Sequence, residues 1–353
     1  MSKTNPIPND DGTNPKPHRV PPRHNRKKTS SSRRTAPAAP VNPPAQEVFK
    51  PSELADHVGE GLATFEGIIM PTRAQLTAVR QMHSLLKMGE KQPEGQQRRA
   101  FRYLDQSGAG KTTCAKILTK FVENEPRYDP NTKSVMHVTL STTGTPKSLA
   151  SSVLAEMGDN YSTRGEAELL LRRVRQGLKD FKVKLLIIDE LNHFKQKSLA
   201  TDAANTIKNI LSLGWVPIVL MGTTDAQSLF ANNRELKNRC APKVVLAPYQ
   251  DNPDDQEEWA KLLGKIDAEL VNRQVLRRHS GLGEATLAAN LRLCSNGLIG
   301  ECHNILMAAL EATLLANEDS ISYQRLIDAV DAWCMADDTI DQNYLKLNGK
   351  QGS

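Results

Sequence analysis

At 353 residues the chain is long enough for one large domain or two ordinary ones. No run approaches the ~18 consecutive apolar residues of a membrane span, and the polar start lacks the charged-then-apolar pattern of a secretion signal, so a soluble cytoplasmic protein with no membrane partner is expected. Five scattered cysteines, odd in number and without C-x-x-C spacing, argue against a disulfide framework or a zinc site.

The net charge of +6 is unevenly spread. Residues 1–50 hold 10 Lys or Arg against 3 acidic side chains, whereas the rest of the chain holds 36 against 37. The same stretch carries 10 of the 20 prolines and few large apolar residues, too little burial to offset the entropy of ordering it. A disordered basic tail over 1–50 is therefore expected, serving either as an electrostatic arm for nucleic acid or a partner, or as a solubilising linker.

From residue 70 the pattern changes. In "PTRAQLTAVRQMHSLLKMG" the residues Leu76, Val79, Met82, Leu85 and Leu86 form one helical stripe between Pro71 and Gly89. A short strand, "AFRYL" (100–104), runs into a glycine loop, and "TTCAKILTKFV" continues as a helix. Apolar strands follow at 135–140, 184–189, 216–222 and 243–247, with helical segments between them near 147–157, 164–181, 199–213 and 226–239. This alternation predicts an α/β fold with a five-stranded parallel sheet covered on both faces. Past Pro248 the strands stop and four amphipathic helices follow. The boundaries read from this are a tail at 1–50, an α/β nucleotide domain with a helical extension at 51–248, a smaller all-helical lid at 249–337, and a C-terminal tail at 338–353.

The glycine loop is "DQSGAGKTT": Asp105, Gln106, Ser107, Gly108, Ala109, Gly110, Lys111, Thr112 and Thr113. It fits the phosphate-binding pattern G-x-x-x-x-G-K-[ST] except at its first position, where Asp105 replaces glycine. In such a loop backbone N–H groups and a helix N-terminus face the phosphates, the lysine reaches the β- and γ-oxygens, and the hydroxyl of Thr112 ligates Mg²⁺. Asp105 tolerates left-handed backbone, so the turn is expected to form, with ATP affinity weakened by its carboxylate.

The second motif is "LLIIDE" (185–190), a buried strand ending in two acids. Asp189 is placed to hold Mg²⁺ through water, and Glu190 to orient and deprotonate the water that attacks the γ-phosphate. At the end of the next strand, Thr223 and Thr224 are candidates for positioning that water, the alternative being helix capping by Thr224 or Asp225. Arg239, with Arg234 in reserve, is placed to reach a neighbouring subunit's γ-phosphate in trans, or else is a solvated surface arginine.

With these elements in order, the chain resembles the AAA+ ATPases, and more closely the transposition regulators called TniB and TnsC. The resemblance spans roughly residues 68–335. It rests on "DQSGAGKTT", "LLIIDELNHF", "ILSLGWVPIVLMGTTDA", "LKNRCAPKVVLAPY" and "CSNGLIGECHNILMAALEAT". It implies an AAA+ P-loop domain with a five-stranded sheet and a helical lid, using ATP and Mg²⁺ to assemble as a homo-oligomeric ring or filament on duplex DNA. Such an assembly recruits transposase and a target-selection protein or RNA-guided complex, and hydrolysis disassembles it. It also implies DNA contacts from the segments after the second and third strands, here Thr145, Lys147, Lys195 and Lys197. His193 is expected to be structural. Beside Asp105, one departure matters: "NGLIGECHN", at the start of the third lid helix, lacks the arginine with which many AAA+ lids touch the nucleotide. The alternatives are a helicase-loader or initiator-like ATPase, and a nucleotide-dependent signalling switch that does not bind DNA.

Overall fold

The five residues Leu185–Asp189 are all buried, which a strand achieves only when both faces of its sheet are covered. The computed structural model describes residues 53–126, 129–141, 144–194 and 197–348, so the arm expected at 1–50 lies outside the described residues. The described chain opens with helices α1 (Glu53–Glu66) and α2 (Arg73–Lys91). It then alternates through β1 (Ala100–Leu104), α3 (Lys111–Glu123), β2 (Val135–Thr139), α4 (Pro146–Glu156), α5 (Ala167–Asp180), β3 (Leu185–Asp189), α6 (Lys197–Ser212) and β4 (Ile218–Gly222). Two short helices, α7 (Gln227–Ala231) and α8 (Arg234–Arg239), precede the helices α9 (Pro253–Asn272), α10 (Ala285–Cys294), α11 (Ile299–Leu315), α12 (Tyr323–Val330) and α13 (Tyr344–Asn348).

The strands are parallel in the order β1-β4-β3-β2. Leu104 pairs with Gly222 and Thr139 with Asp189, so the strands end together along one edge. In such sheets that carboxyl edge is where ligands bind. Alternate residues serve opposite cores. Leu186, Ile188, Ile218 and Leu220 pack against Leu149 and Val153 of α4, Leu170 and Val174 of α5, and Ile207 of α6. Leu185, Ile187, Val219 and Met221 pack against Met82 and Leu86 of α2 and Leu118 of α3.

The expected fifth strand is not formed as a strand. The chain after α8 runs beside β1 but makes only isolated bridges, Ala100 with Cys240 and Tyr103 with Val244. Ala241 N–H reaches Ala100 O at 2.8 Å and Val244 N–H reaches Arg102 O at 3.3 Å. Pro242 has no N–H to offer, and Leu246 N–H is taken by the side chain of Asp105 at 3.1 Å. The sheet therefore has four strands.

A third core lies in the helices after Pro248, around Trp259, Leu263, Leu291, Ile305 and Leu326. Helix α1, attached by its position in the sequence to the nucleotide domain, buries Val58 and Phe65 there; Ile340 and Leu345, near the C-terminus, are buried there too. In α2 the buried stripe starts with Gln75 in place of Leu76, which is 38% exposed. Gln75 completes a capping box with Thr72 and so turns inward. Among the described residues no single helix is long and apolar enough to cross a membrane. The pair α10 and α11 passes that test only jointly, is bent by 109°, and supplies much of the third core.

Candidate functional site

The loop between β1 and α3 turns twice through left-handed backbone, at Gly108 (φ 76°) and at Gly110 (φ 84°), where a side chain would be strained. Gly110 caps α3, so the helix N-terminus opens toward the space beyond the sheet edge. Lys111 folds back over the loop, its Nζ donating to the carbonyls of Asp105 at 2.8 Å and Gln106 at 2.7 Å. Burial pushes the Lys111 ammonium below its ordinary pKa, and the charges of Asp105, Asp189 and Glu190 oppose that shift. Two further groups hold the loop from outside. The Gln75 amide donates to Gly110 O at 3.3 Å, and the Gly300 N–H, at the start of α11, donates to Gly108 O at 2.9 Å.

Asp105 is not in left-handed backbone, and its carboxylate does not line the cavity beside the loop. It is buried, accepts from Leu246 N–H at 3.1 Å and lies 3.7 Å from Lys243 Nζ. The departure from glycine thus fastens the loop entry to the chain beside β1, and the carboxylate faces away from the phosphate side. Replacing Asp105 by alanine would leave the buried Leu246 N–H unmet. It is expected to cost ~1–3 kcal/mol of stability, seen as a lowered Tm, while nucleotide affinity falls far less than in Lys111→Ala.

The two acids differ in setting. Asp189 is 3% exposed and carries three hydrogen bonds: from Thr112 Oγ1 at 2.9 Å, from His137 Nε2 at 3.3 Å and from Glu190 N–H at 2.8 Å. Burial acts to raise its pKa, but the bonds from His137, Glu190 N–H and Thr112 outweigh it and hold the carboxyl below the ordinary range. An ionised carboxylate only accepts, so His137 Nε2 carries the proton. Nothing in the local sequence marks His137. It meets the acid because β2 lies beside β3 in a register that pairs Thr139 with Asp189. Glu190 sits in left-handed backbone (φ 62°, ψ 39°) where the chain leaves β3. Its Oε2 accepts from Asn192 Nδ2 at 3.0 Å and lies 3.9 Å from His193.

A cavity of about 430 Å³ joins these groups to the lid. On the sheet side Ser107, Gly108, Gly110, Lys111, Thr112, Thr113, Glu190 and Thr223 line it; Gln106, Ala109, Asp189 and Arg239 do not. From the helical side come Ile299, Gly300, Glu301 and His303, the last stacked on Phe65 at 4.6 Å between ring centroids. Glu301, within the stretch that lacks a lid arginine, accepts from Trp333 Nε1 through its Oε2 at 3.2 Å. Thr223 Oγ1 is buried and meets no partner among the described residues. A helix N-terminus, a lysine, a hydroxyl bonded to an ionised aspartate and an unmatched threonine together fit a phosphate chain with a hard divalent cation.

The remaining candidates lie elsewhere. Arg239 closes α8 and donates to Ser212 Oγ at 3.0 Å, while Arg234 is exposed at its start. The Thr145 hydroxyl accepts from Ser148 N–H at 3.0 Å and so caps α4, with Lys147 exposed beside it. Lys195 and the side chain of Lys197 lie outside the described residues. The start of α4 and the chain after β3 are nonetheless neighbours: a Cβ on Gly144 would fall 2.6 Å from His193 O.

A parallel sheet in this order, with a phosphate loop after β1, paired acids after β3 and a helical lid over the cavity, defines the AAA+ class of fold. The ORC2 protein of Aeropyrum pernix, solved in ADPNP–ADP complexes, is similar over 76% of this chain and 70% of that one, at 17% identity and a TM-score of 0.53. CDC6P from Pyrobaculum aerophilum is similar over 77% and 70%, at 13% identity and a TM-score of 0.55. No curated protein matches the chain. The family profile TniB, described as bacterial TniB protein, matches residues 69–251, and the chain belongs to that family.

Proposed function

We propose that the protein is an ATP- and Mg²⁺-dependent AAA+ ATPase, cytoplasmic and DNA-associated, that regulates transposition. In this reading it oligomerises on target duplex DNA, recruits transposase and target-selection partners, and leaves on hydrolysis. The observation that carries the hydrolytic part is the joining of Thr112, Asp189 and Glu190 at the mouth of one phosphate loop. The loop's backbone and Lys111 receive the β- and γ-phosphates. Thr112 and Asp189 would hold Mg²⁺, which supplies charge neutralisation on the phosphate oxygens. Glu190 accepts a proton from water as the water oxygen bonds to the γ-phosphorus and the bond to the β–γ bridging oxygen breaks, giving ADP and phosphate. Thr223 offers a hydroxyl to that water.

Membership in the TniB family supports the transposition part. The adjacency of Gly144 to His193 supports a surface shared by the segment with Thr145 and Lys147 and the turn after β3, and the proposed contacts Lys195 and Lys197 follow that turn in sequence. The fold is shared with initiator proteins, so an initiator or loader role is the rival reading, and a switch that ignores DNA is the other. ATP hydrolysis measured with and without duplex DNA separates the last: a rate indifferent to DNA would sink the DNA-directed reading. Electron microscopy with duplex DNA and a non-hydrolysable ATP analogue tests assembly. Arg239→Ala is expected to keep nucleotide binding but lose hydrolysis and assembly, and mixing it with Glu190→Gln protein should restore part of the turnover. Loss of turnover in a monomeric sample would place the arginine's action in cis.

A further inference from the structure

We infer that Asn192 is the positioning residue of Glu190, a role that rests on the hydrolytic reading above. Glu190 leaves β3 through left-handed backbone into a tight turn, Leu191–His193. That turn brings Asn192 back, so that its Nδ2 lies 3.0 Å from Glu190 Oε2. The amide's orientation follows from chemistry: a carboxylate offers only lone pairs, so the NH₂ group faces it. The bond engages Oε2 and leaves Oε1 to accept from water. The Glu190 side chain is 43% exposed, so without this anchor it samples other rotamers in the cavity mouth.

Asn192 is itself well held. Leu191 and Phe194, on either side of the Asn192–His193 pair, are buried in the sheet's core. Gly144 packs against His193 O and Phe194 so closely that a Cβ would lie 2.6 Å from the former. The other amide atom, Asn192 Oδ1, is buried and meets no donor among the described residues. Among the described residues the side-chain bond that Asn192 makes is the one from Nδ2 to Glu190. The start of α4 thereby braces the turn that aims the base.

The test is the isosteric variant Asn192→Asp, which keeps the shape, removes the donor and sets a like charge beside Glu190. Its kcat is expected to fall by about 100-fold, the scale of a misplaced catalytic group, with KM and the affinity for a fluorescent ATP analogue unchanged. Asn192→His, which returns an N–H donor near the same place, should recover part of the rate, and thermal melting of both variants checks folding. Parental kcat in Asn192→Asp, alongside an inactive Glu190→Gln, would overturn the positioning role and leave the base assignment standing. Parallel loss of analogue affinity and kcat would also overturn it, making Asn192 a structural residue. Parental turnover in Glu190→Gln would instead remove the hydrolytic reading itself.

Discussion

Glu190→Gln is expected to stop ATP turnover while leaving nucleotide bound. Glutamine keeps the size of the side chain and one acceptor oxygen, so the cavity and the neighbouring Asp189–Thr112 pair stay as they are. What it loses is the capacity to take a proton from water, worth ~10²–10⁴-fold in rate for a general base. Phosphate release measured beside equilibrium binding of a fluorescent ATP analogue distinguishes the two effects. Lys111→Ala is the contrasting variant and should lose both, because Lys111 supports the loop through the Asp105 and Gln106 carbonyls as well as facing the cavity. If Glu190→Gln released phosphate at the parental rate, the proton acceptor would have to be another group.

Gly300→Ala is expected to weaken nucleotide binding by prising the lid from the phosphate loop. A Cβ on Gly300 would fall 2.6 Å from Gly108 Cα and 2.8 Å from Gly108 O, and both of those are backbone atoms with no rotamer to move. The lid helix α11 must shift, and with it go the 2.9 Å bond from Gly300 N–H to Gly108 O and the placement of Glu301. Overpacking of this kind costs ~1–3 kcal/mol. If nucleotide binding needs the closed contact, that is ~5–150-fold in affinity. Gly59→Ala is the matched control, since nothing lies within 4 Å of a Cβ there. Analogue titrations on both variants decide the matter: parental affinity in Gly300→Ala would mean that the loop binds nucleotide without the lid.

Much of the site was legible because its parts are contiguous in the chain. The loop from Asp105 to Thr113 and the Asp189–Glu190 pair need only a strand before and a turn after, and both contexts show in the apolar runs. The helical lid was legible for the same reason, through the period of its apolar residues. The anchoring role of the Asp105 side chain was not legible because it answers to a backbone N–H 141 residues away. The fifth strand was misread because the run 243–247, with Val244 and Val245 at its centre, looks like a strand, while pairing depends on which N–H groups β1 can reach.

By itself, then, the sequence determined the alternation of strands and helices, the phosphate loop, the acid pair and four of the helices after Pro248, α9 to α12, since each depends on residues within a few positions of one another. Tertiary structure alone decided that His137 supports Asp189, that Gln75 and Gly300 grip the loop, that α1 packs with the lid, and that Gly144 braces the turn beside Glu190. Those contacts join residues from separate elements. Whether two such residues meet is set by strand register and helix packing, which depend on the whole core rather than on any local spacing.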